Sequence, residues 1–204
     1  IFAIFFFIFS NAQSIDSLVV VANNIRDNYG ENDERYLEAL SNIVKATDDF
    51  AVAYRYRKKY YEIVKDKFGT ESPEYADACV RMGTVSSRHI GVEEGFRYYQ
   101  EGVTLYEKLG VINYSYIAGL SLMCNILDKQ GQEDHAFIMR ERLINKLETV
   151  EKDYISQLLT EYIGTYPYLM HSGRIDEQVH YMEKAQNLIK KYNVAHELSE
   201  HTAL

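Results

Sequence analysis

Ser41-Asn42-Ile43, Gly83-Thr84-Val85 and Cys124-Asn125-Ile126 are one three-residue block written three times, 42 and then 41 residues apart. Each copy runs small, polar, β-branched, and each follows a large apolar residue: Leu40, Met82 or Met123. A second landmark keeps the same period: Ala53, Gly95, Ala136 and, more weakly, Gln178 are 42, 41 and 42 residues apart. A fixed period of this length belongs to stacked supersecondary units, each burying its apolar face against the next.

Outward from the blocks, apolar spacing predicts paired helices. In the repeat at about 34–69, Leu37, Leu40, Ser41 and Val44 fall at i, i+3, i+4 and i+7, one face of a first helix. Asp48-Asp49 breaks that pattern. Phe50, Ala53, Tyr60 and Val64 then mark a second helix closed by Phe68-Gly69, where glycine suits a left-handed cap. The repeat at 72–110 opens on Ser72-Pro73-Glu74, an N-cap with proline at the first helical position. Its inward stripe is Cys79, Met82, Gly83 and Ser86. After the Ile90-Gly91 turn, Val92, Gly95, Phe96, Tyr99 and Val103 form the partner helix. The repeat at 114–150 points Leu120, Met123, Cys124 and Leu127 inward, turns at 129–132, and continues through Ala136, Met139, Leu143 and Leu147.

The repeat at 153–192 is degenerate in its first half. Pro167 takes the register position of Asn42 and Asn125 and is expected to kink or interrupt the helix there, because it lacks an N–H and its ring crowds the preceding turn. After His171-Ser172-Gly173-Arg174, the residues Ile175, Val179, Met182, Ala185 and Leu188 mark the second helix. Residues 14–29 read as a lone second helix that covers the end of the first repeat. A softer Gly-x5-Tyr pattern, at Gly30/Tyr36, Gly69/Tyr75 and Gly110/Tyr116, reads as turn chemistry. In the first repeat it is three residues out of step with the block, and the block sets the register.

The chain has 204 residues, enough for a sizeable core, and its only prolines are Pro73 and Pro167, so long helices are permitted. A net charge of −8 argues against tracking nucleic-acid phosphates, which takes clustered Lys and Arg. The richest basic cluster, Arg55, Arg57, Lys58 and Lys59, reads as a solvated helix face. Residues 1–9 are almost uniformly apolar, and Ser10-Asn11-Ala12 places small residues at −3 and −1 before a cut after Ala12. That is the pattern of a secretory signal peptide over 1–12, leaving 13–204 as the helical repeat region of an exported chain, periplasmic or extracellular. The apolar run is too short to span a bilayer. No initiator Met or basic segment precedes it, and 198–204 looks like the opening of another helix, so a fragment clipped at both ends is expected. Export would permit a disulfide. Cys79 and Cys124, however, stand at different heights within their repeats and read as two small buried hydrophobes.

In this register the chain resembles the tetratricopeptide repeat family. That family has a large residue, then Leu-Gly at the close helix contact, a Gly turn, an aromatic, and an Ala on the second helix. Here the close-contact position reads Ser41, Gly83, Cys124; the post-turn position reads Phe50, Val92, Ile175; the small second-helix position reads Ala53, Gly95, Ala136. Small residues at these places let two helices approach to about 8–9 Å. The period exceeds the family's usual length of about 34 and is similar to the longer kinesin-light-chain type of repeat. The fourth repeat departs from the pattern, with Tyr166 and Gln178 at the contact positions, and the family's trailing proline is missing throughout. The resemblance covers 14–192. It implies an all-α, right-handed α-solenoid of antiparallel helix pairs, a TPR-like superhelix.

The resemblance also implies a ligand groove on the concave surface made by the first helices. Carried over position by position, that surface is Arg35, Glu38, Asn42 and Lys45 in the first repeat; Asp77, Val80, Thr84 and Ser87 in the second; Ser121, Asn125 and Asp128 in the third. Asn42, Thr84 and Asn125 would form a polar ladder, and an amide side chain both donates and accepts, so it can grip a peptide backbone whatever the peptide's sequence. Glu38 lies one turn before Asn42, where a clamp for a C-terminal carboxylate would want Lys, and no such clamp is evident.

Eighteen tyrosines, clustered at Tyr54, Tyr56, Tyr60 and Tyr61 and again at Tyr98 and Tyr99, suit recognition surfaces; most read here as inter-helix packing with hydroxyls reaching the surface. Chemistry-bearing motifs are weak. His196 and His201 are five apart, which turns the second away from the first by about 140° and spoils a zinc-protease pattern. His89, His135, His171 and His180 are dispersed, and neither a Gly-rich phosphate loop nor a Gly-x-Ser-x-Gly elbow is present. Asn113-Tyr114-Ser115 is a glycosylation sequon in an inter-repeat turn. The expected function is a non-catalytic scaffold, without metal or cofactor, that binds a protein or peptide, takes no nucleic acid, and makes no direct membrane contact through 13–204. The alternative is the extracytoplasmic sensor region of a membrane-bound signalling protein, such as a histidine kinase or a transcription regulator.

Overall fold

The computed structural model describes residues 14–194 as helices joined by short turns. In chain order these are α1 (Ile15–Tyr29), α2 (Glu34–Ala46), α3 (Phe50–Phe68), α4 (Pro73–His89), α5 (Val92–Leu109), α6 (Tyr114–Lys129), α7 (Glu133–Thr149), a 3₁₀ turn (Glu151–Asp153), α8 (Ile155–Gly164), α9 (Tyr166–His171) and α10 (Ile175–Tyr192). The signal peptide expected over 1–12, the His196/His201 pair and the helix start at 198–204 lie outside the described residues.

The chain divides into two compact units, Ile1–Tyr98 and Tyr99–Leu204, with the boundary inside α5. In the first unit α1 packs on α2, α2 on α3 and α3 on α4. Its core is Leu40, Ile43, Val64, Ala76, Cys79 and Met82. In the second, α6 packs on α7, α7 on α8, and α8 and α9 on α10, around Leu120, Cys124, Leu143, Ile144, Leu147, Leu158 and Leu169. Turns this short bring consecutive helices back antiparallel.

The Gly-x5-Tyr pattern is a complete helix-entry device. Gly30, Gly69 and Gly110 take positive φ (89°, 77° and 68°), and three residues later Asp33, Ser72 and Asn113 cap α2, α4 and α6. Ser72 Oγ accepts the Tyr75 N–H at 3.1 Å and Asn113 Oδ1 accepts the Tyr116 N–H at 2.9 Å. Tyr36, Tyr75 and Tyr116, three residues past each cap, are buried. Gly69 is not in the left-handed helical well expected of it. Its ψ of 166° places it in a region open essentially to glycine alone, and from there the chain leaves α3 extended. The sequon's Asn113 is committed to capping.

The register conflict between block and turn resolves in the length of α2. The block begins eight residues after Asp33 but eleven after Ser72 and Asn113, and α2 has 13 residues against 17 and 16 in α4 and α6. Both patterns hold; α2 is about one turn shorter between them. Replacing Ser72 or Asn113 by alanine is expected to cost about 1 kcal/mol each, seen as a lowered urea midpoint at unchanged slope.

Where the expected stripes depart from the observed core, the reason is helix geometry. Cys79, Met82, Gly83 and Ser86 on α4, and Leu120, Met123, Cys124 and Leu127 on α6, are all buried. On α2 the buried face centres on Tyr36, Leu40 and Ile43, so Ser41 and Val44 are only half-buried. Phe50, Val92 and Ile175, each the first residue of its helix, are exposed. On α10, Val179 and Met182 face outward, and Tyr181, Ala185 and Leu188 carry the contact. Pro167 interrupts the first helix of the fourth repeat as expected: α8 stops at Gly164, α9 restarts at Tyr166, and the buried Thr165 between them bonds the Tyr162 carbonyl through Oγ1 at 2.7 Å.

The small second-helix position is enforced sterically in the first unit. A Cβ on Gly95 would lie 2.4 Å from the Ser87 Cβ and 2.9 Å from the Gly83 carbonyl oxygen. Cys79 and Cys124 are both buried, and burial pushes the Cys124 thiol up to about 12. The tyrosines mostly pack. Buried Tyr61 and Tyr75 join hydroxyls at 2.5 Å, while Tyr116, Tyr162 and Tyr181 donate to Glu107, Glu148 and Glu141 at 3.0, 2.7 and 3.1 Å.

Candidate functional site

On the first helices of the first unit, the expected face is part surface and part structure. Arg35 is exposed, but it forks onto its own helix cap, with Nε and Nη2 each 2.8 Å from an Asp33 carboxylate oxygen, and it stacks on Tyr29 at 3.8 Å. Hydrogen bonds from Arg35 hold the Asp33 carboxyl down to about 2. Glu38 and Lys45 are exposed and Asn42 is half-buried. Asp77 pairs with Arg81 at 2.5 Å. Val80 is buried, so it is core and not face, because α4 is apolar around more of its circumference than the register assumed. Thr84 and Ser87 are half-buried. Their hydroxyls bond back to the carbonyls of Val80 and Thr84, at 3.4 and 3.1 Å, the usual local satisfaction of such residues within a helix.

In the second unit, Asn125 and Asp128 on α6 are exposed, while Ser121 and Asp128 are drawn into a charge cluster that no sequence motif announced. Glu161 of α8 is nearly fully buried. It accepts from Ser121 Oγ at 3.0 Å and from Arg140 Nη1 at 2.8 Å, and Arg140 Nη2 reaches Asp128 at 2.9 Å. Gly164 makes room for it, since a Cβ there would meet Arg140 Nη1 at 2.3 Å. A cavity of about 270 Å³ lies beside the cluster, walled by Asp128, Phe137, Arg140, Gly164, Pro167 and Tyr168 among others, with Phe137 stacked on Tyr168 at 4.5 Å. The signal available in the sequence was an acid, Glu161, set inside the apolar run Leu158-Leu159 and Tyr162.

A second feature missed by the sequence is Arg57. Its place beside Arg55, Lys58 and Lys59 predicts a solvated basic face, yet Arg57 is only 5% exposed. Arg55 and Lys58 do face solvent. Arg57 Nη1 reaches Ser41 Oγ at 3.4 Å, and the side chain lines a cavity of about 310 Å³ bounded by the end of α2, the start of α3 and the last turns of α4. Among the described residues, no group of three or more His, Cys, Asp or Glu could hold a metal ion, and no helix is long and apolar enough to cross a membrane.

No protein-family model and no curated protein matches the chain. Solved structures do. A Podosopora anserina protein with nearly identical kinesin-light-chain TPR-like repeats superposes with a TM-score of 0.67 at 12% identity, over 87% of this chain and 86% of that one. A variant of it gives 0.69 at 12% identity, over 89% and 87%. BtubC (BKLC) from P. vanneervenii gives 0.54 at 13% identity, over 91% and 83%. With the antiparallel helix pairs and the small-residue contact at Gly95 already in place, the chain has the all-α fold of TPR-like helix-pair repeat proteins.

Proposed function

We propose that this chain is a non-catalytic scaffold that binds a protein or peptide partner through its first helices, α2 and α4 in the first unit and α6 in the second. One observation carries the reading. Asn42 and Thr84 in the first unit, and Asn125 in the second, each follow the small close-contact residue and stay accessible at the edge of a buried stripe. Polar groups at the same register on successive first helices can bond a peptide backbone without reading its side chains. The TPR-like fold supports the proposal, as such repeats stack into extended binding surfaces. The double variant Asn42→Ala, Asn125→Ala is expected to lose about tenfold or more in affinity for peptides selected from a random library, at unchanged helicity. Unchanged affinity would remove these residues from the binding face.

We also propose that the protein is exported, which rests on the apolar run at 1–9 followed by Ser10-Asn11-Ala12. Fused behind an initiator Met and a basic residue, residues 1–12 are expected to carry a reporter across the inner membrane of a bacterial host. A reporter retained in the cytoplasm would end that proposal.

A further inference from the structure

Arg57 is a buried cation without a counter-charge. Its side chain, from α3, is more than nine-tenths buried and lines the cavity of about 310 Å³ in the first unit. Nη1 makes one long bond, 3.4 Å, to the neutral Ser41 Oγ. Neither Nε nor Nη2 donates to any described atom, and no carboxylate stands within ion-pair distance of the group among the described residues. Burial, and then the neighbouring charge of Arg81, hold its guanidinium below the ordinary range. A buried cation left unpaired is a costly arrangement, and a bound anion relieves it. The two uncommitted groups, Nε and Nη2, form one edge of the guanidinium, the fork of parallel N–H donors that a carboxylate takes with both oxygens.

The rest of the wall sets the charge and shape of what fits. Arg81 is committed to Asp77 at 2.5 Å and to further partners, so that pair counts as neutral. Arg88 is exposed, makes no hydrogen bond or ion pair among the described residues, and holds its guanidinium 6.0 Å from the Phe50 ring centre. Asp48 is the acid on the wall. Arg57 and Arg88 against Asp48 leave an excess of one positive charge, which a single carboxylate closes and a doubly charged phosphate overshoots. Val44, Phe50, Ala53 and Val85 give the cavity an apolar side, and its volume is near the small end of ligand sites. We infer that this cavity binds a small free monocarboxylate, with its carboxylate on the Arg57 fork and its apolar body against Val44, Phe50, Ala53 and Val85. A free acid reads this site without any partner, so it stands or falls apart from the binding proposed for the first helices.

The test is isothermal titration of the whole chain with hexanoate, acetate, inorganic phosphate and hexylamine, at one ionic strength and slightly alkaline pH. Hexanoate is expected to saturate a single site about tenfold or more tightly than acetate, because its added methylenes meet the apolar wall. Phosphate is expected to bind no more tightly than acetate, and hexylamine not at all. Arg57→Gln is expected to weaken hexanoate by about tenfold or more. Two exposed positions keep the test decisive if Arg57→Gln does not fold. Arg88→Gln is expected to weaken hexanoate by about threefold and Asp48→Asn to tighten it by about threefold, opposite shifts from opposite changes in wall charge. Absence of saturable hexanoate binding, equal binding of acetate, tighter binding of phosphate, or variants at 88 and 48 that bind as the parent does would each overturn the inference. So would tighter binding of a capped alanine peptide carrying one glutamate, which would place the carboxylate on a partner's side chain.

Discussion

Gly95→Ala is expected to destabilise the chain by about 1–3 kcal/mol, the cost of overpacking a tight contact. Intrinsic propensity alone would favour the change by nearly 1 kcal/mol, because alanine is the better helix former. The packing decides against it. The new methyl would sit 2.4 Å from the Ser87 Cβ and 2.9 Å from both the Ser87 Cα and the Gly83 carbonyl oxygen. Two of those three atoms are backbone, so relief requires moving α4 and not merely turning a side chain. Urea unfolding of the variant measures it, and Gly95→Leu should be worse. A Gly95→Ala protein as stable as the parent would mean that α4 and α5 do not cross at this point.

Glu161→Ala carries the other large effect, about 3 kcal/mol, the lower end for breaking a buried ion pair by removing one partner. Glu161 and Arg140 side chains are 5% and 12% exposed, so the arginine left behind is poorly hydrated and keeps only Asp128, while Ser121 loses its acceptor. The double variant Arg140→Met, Glu161→Leu is expected to be more stable than Glu161→Ala, since apolar replacement of a whole buried pair is often close to neutral. A double-mutant cycle by chemical denaturation separates the coupling from the single losses. A Glu161→Ala cost below about 1 kcal/mol would place the pair in the class of solvated surface bridges.

What the sequence made legible was local or periodic. The Ser72-Pro73 cap, the break at Pro167 and the small residue at 95 each follow from the chemistry of a few neighbouring residues repeated at a fixed interval. Arg57 escaped because its burial depends on α2 and α4 closing over it, which no spacing within α3 reveals. Arg140 and Glu161 escaped for the same reason, being 21 residues apart on two helices whose contact only the packing defines. Register alone puts Val80 on the binding face, yet its side chain is core. The Gly-Tyr pattern and the block are both legible, and the three-residue offset between them is a change in helix length.

The claim most in need of a direct test is that the first helices carry the partner. Hydrogen exchange of the chain, with and without a peptide selected from a random library, reads this segment by segment. Slowed exchange is expected in the first helices, around Asn42 and Thr84 in the first unit and around Asn125 in the second, with α3 and α7 little changed. Slowing confined to the second helices α3, α5 and α7, or a selection that enriches no peptide, would contradict it.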